Sequence, residues 1–267
     1  MSFILIPESV NIILKLFIAD TVATIVVWIF GIFLKTASIY DPYWSIQTPA
    51  IYITLLIYYG NYNVGNILFL VLILLWAIRL TANFIITFND ITYIDWRYSD
   101  IKNKTNKLYQ IANLVGIHMM PTVLVFLASV PAFLYVINGY DFIVLNIIGY
   151  VLIIMAVFFE LVSDINIHVY KKNRKSRSEI INVGFWKYSR HPNYFGEITF
   201  WYGVLAIFIV NDFSYWYVIF GAILINLLFL CISIPLEEKK LITYKEGYDE
   251  YKKRARMLIP LPFKLLK

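Results

Sequence analysis

Between two strongly apolar segments the chain carries Gly184-Phe185-Trp186-Lys187-Tyr188-Ser189-Arg190-His191-Pro192-Asn193-Tyr194-Phe195-Gly196-Glu197. No other stretch sets Arg, His, Asn, Tyr and Glu so close together beside an apolar run. Pro192 suits the first turn of a helix, where a backbone N–H has no partner to lose. Arg190 and His191 then stand where free N–H groups and the helix dipole attract anions. Arginine binds phosphate in a bidentate fork, while Asn, Tyr and Glu can hold ribose hydroxyls or an amide. A basic run at 171–177 precedes the motif in the same loop. This chemistry suits a dinucleotide, with its pyrophosphate and, in NADPH, a further 2′-phosphate. The competing reading is a helix start beside an ordinary basic loop. Membrane orientation alone, however, does not call for Asn, Glu or His.

Other polar residues stand inside apolar runs. Asp20, Arg79, Glu160 and Asp164 lie well within them, and Lys15 lies nearer one end, where it can snorkel. Each isolated charge at a bilayer centre costs at least ~2.5 kcal/mol, so such groups face a partner or a wet cavity. Glu160, Asp164 and His168 are spaced by four and share one helix face. They either pair with Arg79 as glue between helices or line a functional site. Asp41-Pro42-Tyr43-Trp44-Ser45-Ile46-Gln47 is a second polar and aromatic cluster. It reads as an interfacial aromatic belt or, through Asp41 and Gln47, as part of a substrate pocket. No GxGxxG or P-loop is present, and the three histidines lie in separate segments, so no metal is expected.

These residues need a membrane frame. The chain is 60% hydrophobic and 15% charged, with mean hydropathy +0.70. Soluble domains are nearer a quarter charged. Apolar spans are expected at 11–34, 45–59, 64–88, 110–137, 142–170, 193–210 and 214–236, each near the ~20 residues that cross a bilayer. Their length and lack of period-two alternation exclude a β-barrel. The expected fold is therefore all-α and polytopic, with about seven transmembrane helices in one domain over 1–267. No removable signal peptide is expected. All Lys and Arg except Lys15 and Arg79 fall in alternate loops and the tail. The positive-inside rule then puts the N-terminus outside and the C-terminus in the cytoplasm. It also accounts for the net charge of +6 without nucleic acid. Cys231 lies in an apolar run and is expected to pack. After Pro235, Leu241, Tyr244, Tyr248 and Tyr251 recur at helical spacing, so an amphipathic helix on the cytoplasmic surface is expected.

On these residues the chain resembles steroid 5-alpha-reductase-like membrane proteins, in particular their broad prokaryotic and plant branch of largely unassigned function. The resemblance rests on Gly184–Glu197, Asp41-Pro42-Tyr43-Trp44, Trp76-Ala77-Ile78-Arg79-Leu80, Asp95-Trp96-Arg97-Tyr98, Glu160 with Asp164, and the tail from Glu238 through Gly247-Tyr248 to Pro260. It implies a seven-helix reductase that binds NADPH from the cytoplasm, with the cofactor half at about 110–267. By that resemblance Asp164, Tyr188, Arg190, Asn193 and Glu197 contact the cofactor. Glu160, His191, Tyr194, Tyr244 and Arg254 complete the expected set. The steroid reductases use a Gln-Glu pair and a Tyr near the substrate carbonyl. Here Gln47 matches that Gln, but Thr48 and Trp76 stand at the other two positions. Steroid substrates are therefore not implied.

The expected activity is reduction of a carbon–carbon double bond conjugated to a carbonyl, in a lipid-like substrate entering from the bilayer. Tyr43, Asp41 and Gln47 are the candidate donors to the enolate, with Arg79 as an electrostatic partner. Two alternatives stand beside it. Arg190-His191-Pro192-x-Tyr194-x-Gly196 and Glu237-Glu238 also resemble isoprenylcysteine carboxyl methyltransferases, which use S-adenosylmethionine. The other alternative is a non-catalytic lipid-binding membrane protein. A prokaryotic plasma membrane is the expected location.

Overall fold

The computed structural model describes residues 11–88, 90 and 93–262. Lys264 and Lys267 of the basic tail lie outside these. Among the described residues every regular element is helical. The chain divides into two compact units, Met1–Ile143 and Val144–Lys267.

The first unit holds α1 (Ile12–Phe33), α2 (Tyr43–Tyr59), α3 (Val64–Thr87), α4 (Trp96–Thr105), the short α5 (Tyr109–Ala112), a π-helical stretch (Asn113–Met119) and α6 (Met120–Ile137). The Asn11 and Asn63 side chains cap α1 and α3 by accepting N–H groups of the first turn. Gly60 ends α2 in the left-handed region, at φ 67°. Helix α2 packs against both α3 and α6. Its Tyr52 meets Phe69 edge-on, and Phe69 meets Tyr135 in the same way, both pairs at 5.6 Å.

The second unit holds α7 (Asn146–Asn173), α8 (Pro192–Ile209), α9 (Ile219–Leu228), a π-helical stretch (Phe229–Ser233), α10 (Ile234–Ile242) and α11 (Tyr248–Arg254). Its spine is the pair α7–α8. A Cβ on Gly149 would sit 2.7 Å from Gly203 O, one on Gly203 3.0 Å from Gly149 O, and one on Gly196 2.8 Å from Ala156 O. Small residues let the two backbones touch, which is how helices associate without a hydrophobic driving force in lipid. The Asn146 side chain adds a 2.6 Å hydrogen bond to Ile207 O.

Among the described residues five helical stretches are long and apolar enough to cross a membrane: Ile12–Phe33, Val64–Thr87, Trp96–Ile137, Asn146–Asn173 and Phe213–Ile242. They make this a helical membrane protein. Large apolar side chains such as Val26, Phe30, Ile78, Ile154 and Phe158 point outward from them. Helices also occupy the other two expected spans, as α2 and α8. At 17 and 18 residues these are shorter, about 26 Å at 1.5 Å per residue, and they begin with polar motifs.

The tail departs from expectation. It is not one surface helix but two short ones, α10 and α11, joined through Gly247 at φ 71°. Tyr248 and Tyr251 are buried against Ala255, Ile180 and Leu241, because the tail folds back onto its own unit. Replacing Gly203 with Leu should lower the unfolding temperature in detergent sharply, since overpacking costs about 1–3 kcal/mol. Gly116→Ala, with nothing within 4 Å of the new carbon, should leave it unchanged.

Candidate functional site

The motif lies in the second unit, on the approach to α8. A short turn at Gly184–Lys187 is tied to α7 by Trp186 Nε1–H donating to Ser163 O at 2.9 Å. Gly184 has φ +53°, and a Cβ there would meet the Asn166 side chain at 2.1 Å, so only glycine fits. Pro192 is the first residue of α8, as its sequence position implies.

The next residues are clasped by the tail. Ser189 and Arg256 form an isolated parallel bridge. Arg190 N–H donates to Arg256 O (2.8 Å), His191 N–H to Met257 O (3.1 Å) and Arg256 N–H to Tyr188 O (2.9 Å). The Tyr251 hydroxyl donates to the carbonyls of Trp186 and Ser189. Burial holds the Tyr251 phenol above its usual range, so it remains a donor.

Arg190 faces inward. Its Nε donates to Glu238 Oε1 at 2.6 Å, and Nη1 to Ala255 O (2.6 Å) and Lys252 O (3.2 Å). Glu238 also receives His191 Nε2 at 3.2 Å and Lys252 Nζ at 3.0 Å. The His191 and Tyr194 rings stack at 5.4 Å, and the Tyr194 hydroxyl donates to Glu237 Oε2 at 2.8 Å. Glu197 receives Trp201 Nε1–H at 3.1 Å. The expected phosphate contact at Arg190 thus has its donors turned to a carboxylate and two carbonyls, which makes it a positioning residue. Asn193 differs: its Oδ1 is buried and has no hydrogen-bond partner among the described residues.

Cations gather elsewhere in this unit. Lys171 and Arg174, at the end of α7, and Lys245, after α10, are close enough to repel one another. Lys245 Nζ lies 5.7 Å from the Tyr170 ring centre and 5.5 Å from that of Tyr244. Burial and these neighbouring cations lower its affinity for a proton, which the Glu179 carboxylate restores in part. Burial and Glu237 raise the Tyr244 phenol, while Arg174 and Arg177 oppose the shift. Asp164 and His168 share the α7 face that leads to Lys171, and Glu160 is fully buried one turn earlier. Arg254 is exposed beside the Tyr251 ring, 5.6 Å from its centre. Tyr188 is half-buried under Lys187.

The four residues expected near the substrate all lie in the first unit. Asp41 accepts a hydrogen bond from the Tyr98 hydroxyl, near the Asp95–Arg97 ion pair of 2.8 Å. Burial pushes Asp41 up to about 7, against the pull of Tyr98 and Arg97. The Tyr43 hydroxyl donates to Asp20 Oδ1 at 2.6 Å, and Gln47 Nε2 donates to Thr122 O at 3.2 Å. Arg79 is half-buried on α3. Thr48, where the steroid reductases have an acid, pairs with Ser129 at 2.7 Å. Trp76, in place of the tyrosine, is fully buried.

Sequence reasoning missed Glu238 as the partner of Arg190, Lys245 as a member of the cation group, and Asp20 as the acceptor for Tyr43. Only Asp20 carried a signal of its own, as a charge inside an apolar run. Among the described residues no group of His, Cys, Asp and Glu could hold a metal ion.

Residues 27–255 match the family described as "Protein of unknown function (DUF1295)", and the chain belongs to that family. No curated protein and no solved structure matches the chain.

Breaking the clasp has a defined cost. Glu238→Ala leaves Arg190 and His191 buried without their counter-charge and should destabilise by about 3–5 kcal/mol. In limited proteolysis the tail beyond α10 should then be cut. Glu237→Ala, at a carboxylate 42% exposed, should cost under about 1 kcal/mol. Asp41 gives a pH signature. Its folded pKa lies above the ordinary carboxylate value of about 4, so the folded state holds the extra proton in between. Stability should fall as pH rises from about 4 to about 7, and Asp41→Asn should flatten that slope in melting curves.

Proposed function

We propose that the chain is an integral-membrane, NADPH-dependent oxidoreductase of the steroid 5-alpha-reductase-like type. Its substrate class is a lipid carrying a carbon–carbon double bond conjugated to a carbonyl. With this reading go seven membrane-crossing helices, an external N-terminus and a cytoplasmic tail. The observation that carries the proposal is the group Lys171, Arg174 and Lys245 with Tyr170 and Tyr244. The three cations repel one another, Glu179, Glu237 and Asp164 offset them in part, and cations gathered beside two tyrosines favour a polyanionic ligand.

The residues present fit a dinucleotide at that group. Lys171, Arg174 and Lys245 would take its phosphates, Tyr244 a ribose hydroxyl or phosphate, and the Asn193 carboxamide an amide donor. Arg190 would hold the motif in shape through Glu238. The cofactor supplies a hydride when bound. On the substrate side, the hydrogens of Tyr43 and Gln47 are already engaged with Asp20 and Thr122. Asp41, which burial keeps protonated up to about 7, is the expected donor with a proton to give.

A second reading, an S-adenosylmethionine-dependent methyltransferase acting on a lipid or prenylcysteine carboxylate, is favoured by one observation. The stacked His191 and Tyr194 rings lie beside Glu237 and Glu238, and acids with aromatics suit a sulfonium cation.

Titrations on purified protein in lipid nanodiscs separate the two. NADPH should bind at least about 10-fold more tightly than NADH, and Arg174→Ala with Lys245→Ala should weaken it about 10- to 100-fold, the worth of charge-assisted contacts. Asp41→Asn should keep NADPH binding and lose turnover on a lipid enone. Binding of S-adenosylhomocysteine with none of NADPH would overturn the reductase in favour of the methyltransferase.

A further inference from the structure

The first unit contains a buried polar cluster that the proposed reduction does not use. Helices α1, α2 and the π-helical stretch leading into α6 each present two polar residues one turn apart: Asp20 and Thr24, Tyr43 and Gln47, His118 and Thr122. Hydrogen bonds join five of them in two groups, and the Tyr40 ring borders His118 and Tyr43. The Thr122 hydroxyl bonds both Thr24 Oγ1 (2.9 Å) and the Tyr40 hydroxyl (2.8 Å), and Thr122 O accepts from Gln47 Nε2. The Tyr43 hydroxyl donates to Asp20. The Tyr40 ring lies 4.7 Å from His118 and 5.7 Å from Tyr43.

Three atoms of the cluster are buried without partners among the described residues: Asp20 Oδ2, Gln47 Oε1 and His118 Nε2. Their side chains are nearly sealed, Asp20 at 5% exposure, Gln47 at 2% and His118 at 0%. All three are acceptors. The Asp20 oxygen belongs to a carboxylate. Gln47 gives its Nε2 hydrogen to a carbonyl, which leaves Oε1 as the idle end. His118 Nδ1 faces Asn113 O at 3.2 Å, and because a carbonyl can only accept, Nδ1 holds the ring hydrogen and Nε2 offers a lone pair. Asn113 Oδ1, on the same π-helical stretch, is a further idle acceptor. Each such atom costs about 1–3 kcal/mol while unpaired. Asp20, Gln47, His118 and Asn113 each leave an acceptor idle, and π-helical stretches recur at functional sites. No cation pairs with Asp20 among the described residues.

We propose that this cluster is a binding site for the protonated primary amine of a membrane-soluble amphiphile. An ammonium group brings up to three N–H donors and one positive charge, which match Asp20, Gln47 and His118. The faces of Tyr40 and Tyr43 add cation–π stabilisation. A hydroxyl brings a single donor and no charge. A quaternary amine brings charge without a donor. The site is independent of the cofactor reading, since none of its acceptors can hydrogen-bond a carbonyl.

The full chain, purified in a neutral detergent, would be titrated with dodecylamine, dodecanol and dodecyltrimethylammonium, with binding followed by thermal shift and calorimetry. The expected result is saturable binding of dodecylamine, at least about 10-fold tighter than either analogue, and lost by about the same factor in Asp20→Asn. Thr54→Val, at an exposed position of α2 outside the cluster, reports on folding and should keep amine binding. Equal binding of the alcohol, an unchanged affinity in a folded Asp20→Asn, or no saturable binding of the amine would each overturn the proposal.

Discussion

The ion pair between Arg190 and Glu238 is the constraint on which the second unit depends. It joins the start of α8 to the end of α10, and its other contacts reach the tail carbonyls at 252 and 255. Both side chains are only 11% exposed, where charges are costly unless well paired. Glu238 answers that cost with three cationic or donor partners at once, Arg190, His191 and Lys252. The tail then cannot lie as a free helix on a membrane surface. It closes over the motif, and Tyr251 and the Ser189–Arg256 bridge follow from that closure.

The closure changes what the motif can do. A sequence of Arg, His, Asn, Tyr and Glu looks like a set of ligand contacts, yet four of these side chains are occupied by protein partners. Their work is to fix the geometry between α7, α8 and the tail. The exposed chemistry moves to Lys171, Arg174 and Lys245, which the chain separates by some seventy residues and the fold gathers. The glycines of α7 and α8 serve the same end: Gly196, inside the motif, lets α8 approach so closely that its added Cβ would meet Glu160 Cγ at 2.4 Å.

The first unit follows another rule. Polar side chains buried among apolar helices satisfy one another where they can, through pairs such as Thr48 with Ser129 and Ser45 with Thr81. The cluster around Asp20, Gln47 and His118 is where that accounting leaves acceptors over. It includes a π-helical stretch, which shifts His118 out of the register an α-helix would give it.

The residue order by itself determined the membrane class and the helices. Long apolar runs can satisfy their backbone in lipid only as helices, so length and hydropathy suffice for that inference. Pro192 at the start of α8 and the shared face of Glu160, Asp164 and His168 were equally legible, because they depend on neighbours within a turn or two. Only tertiary structure decided what the polar residues touch. The partner of Arg190 lies 48 positions on, that of Tyr43 lies 23 back, and the backbone of Thr122 lies 75 beyond Gln47. Charge and hydrogen-bond complementarity act over a few ångströms in space and leave no periodic trace along the chain. That is why the motif could be found in the sequence and its role could not.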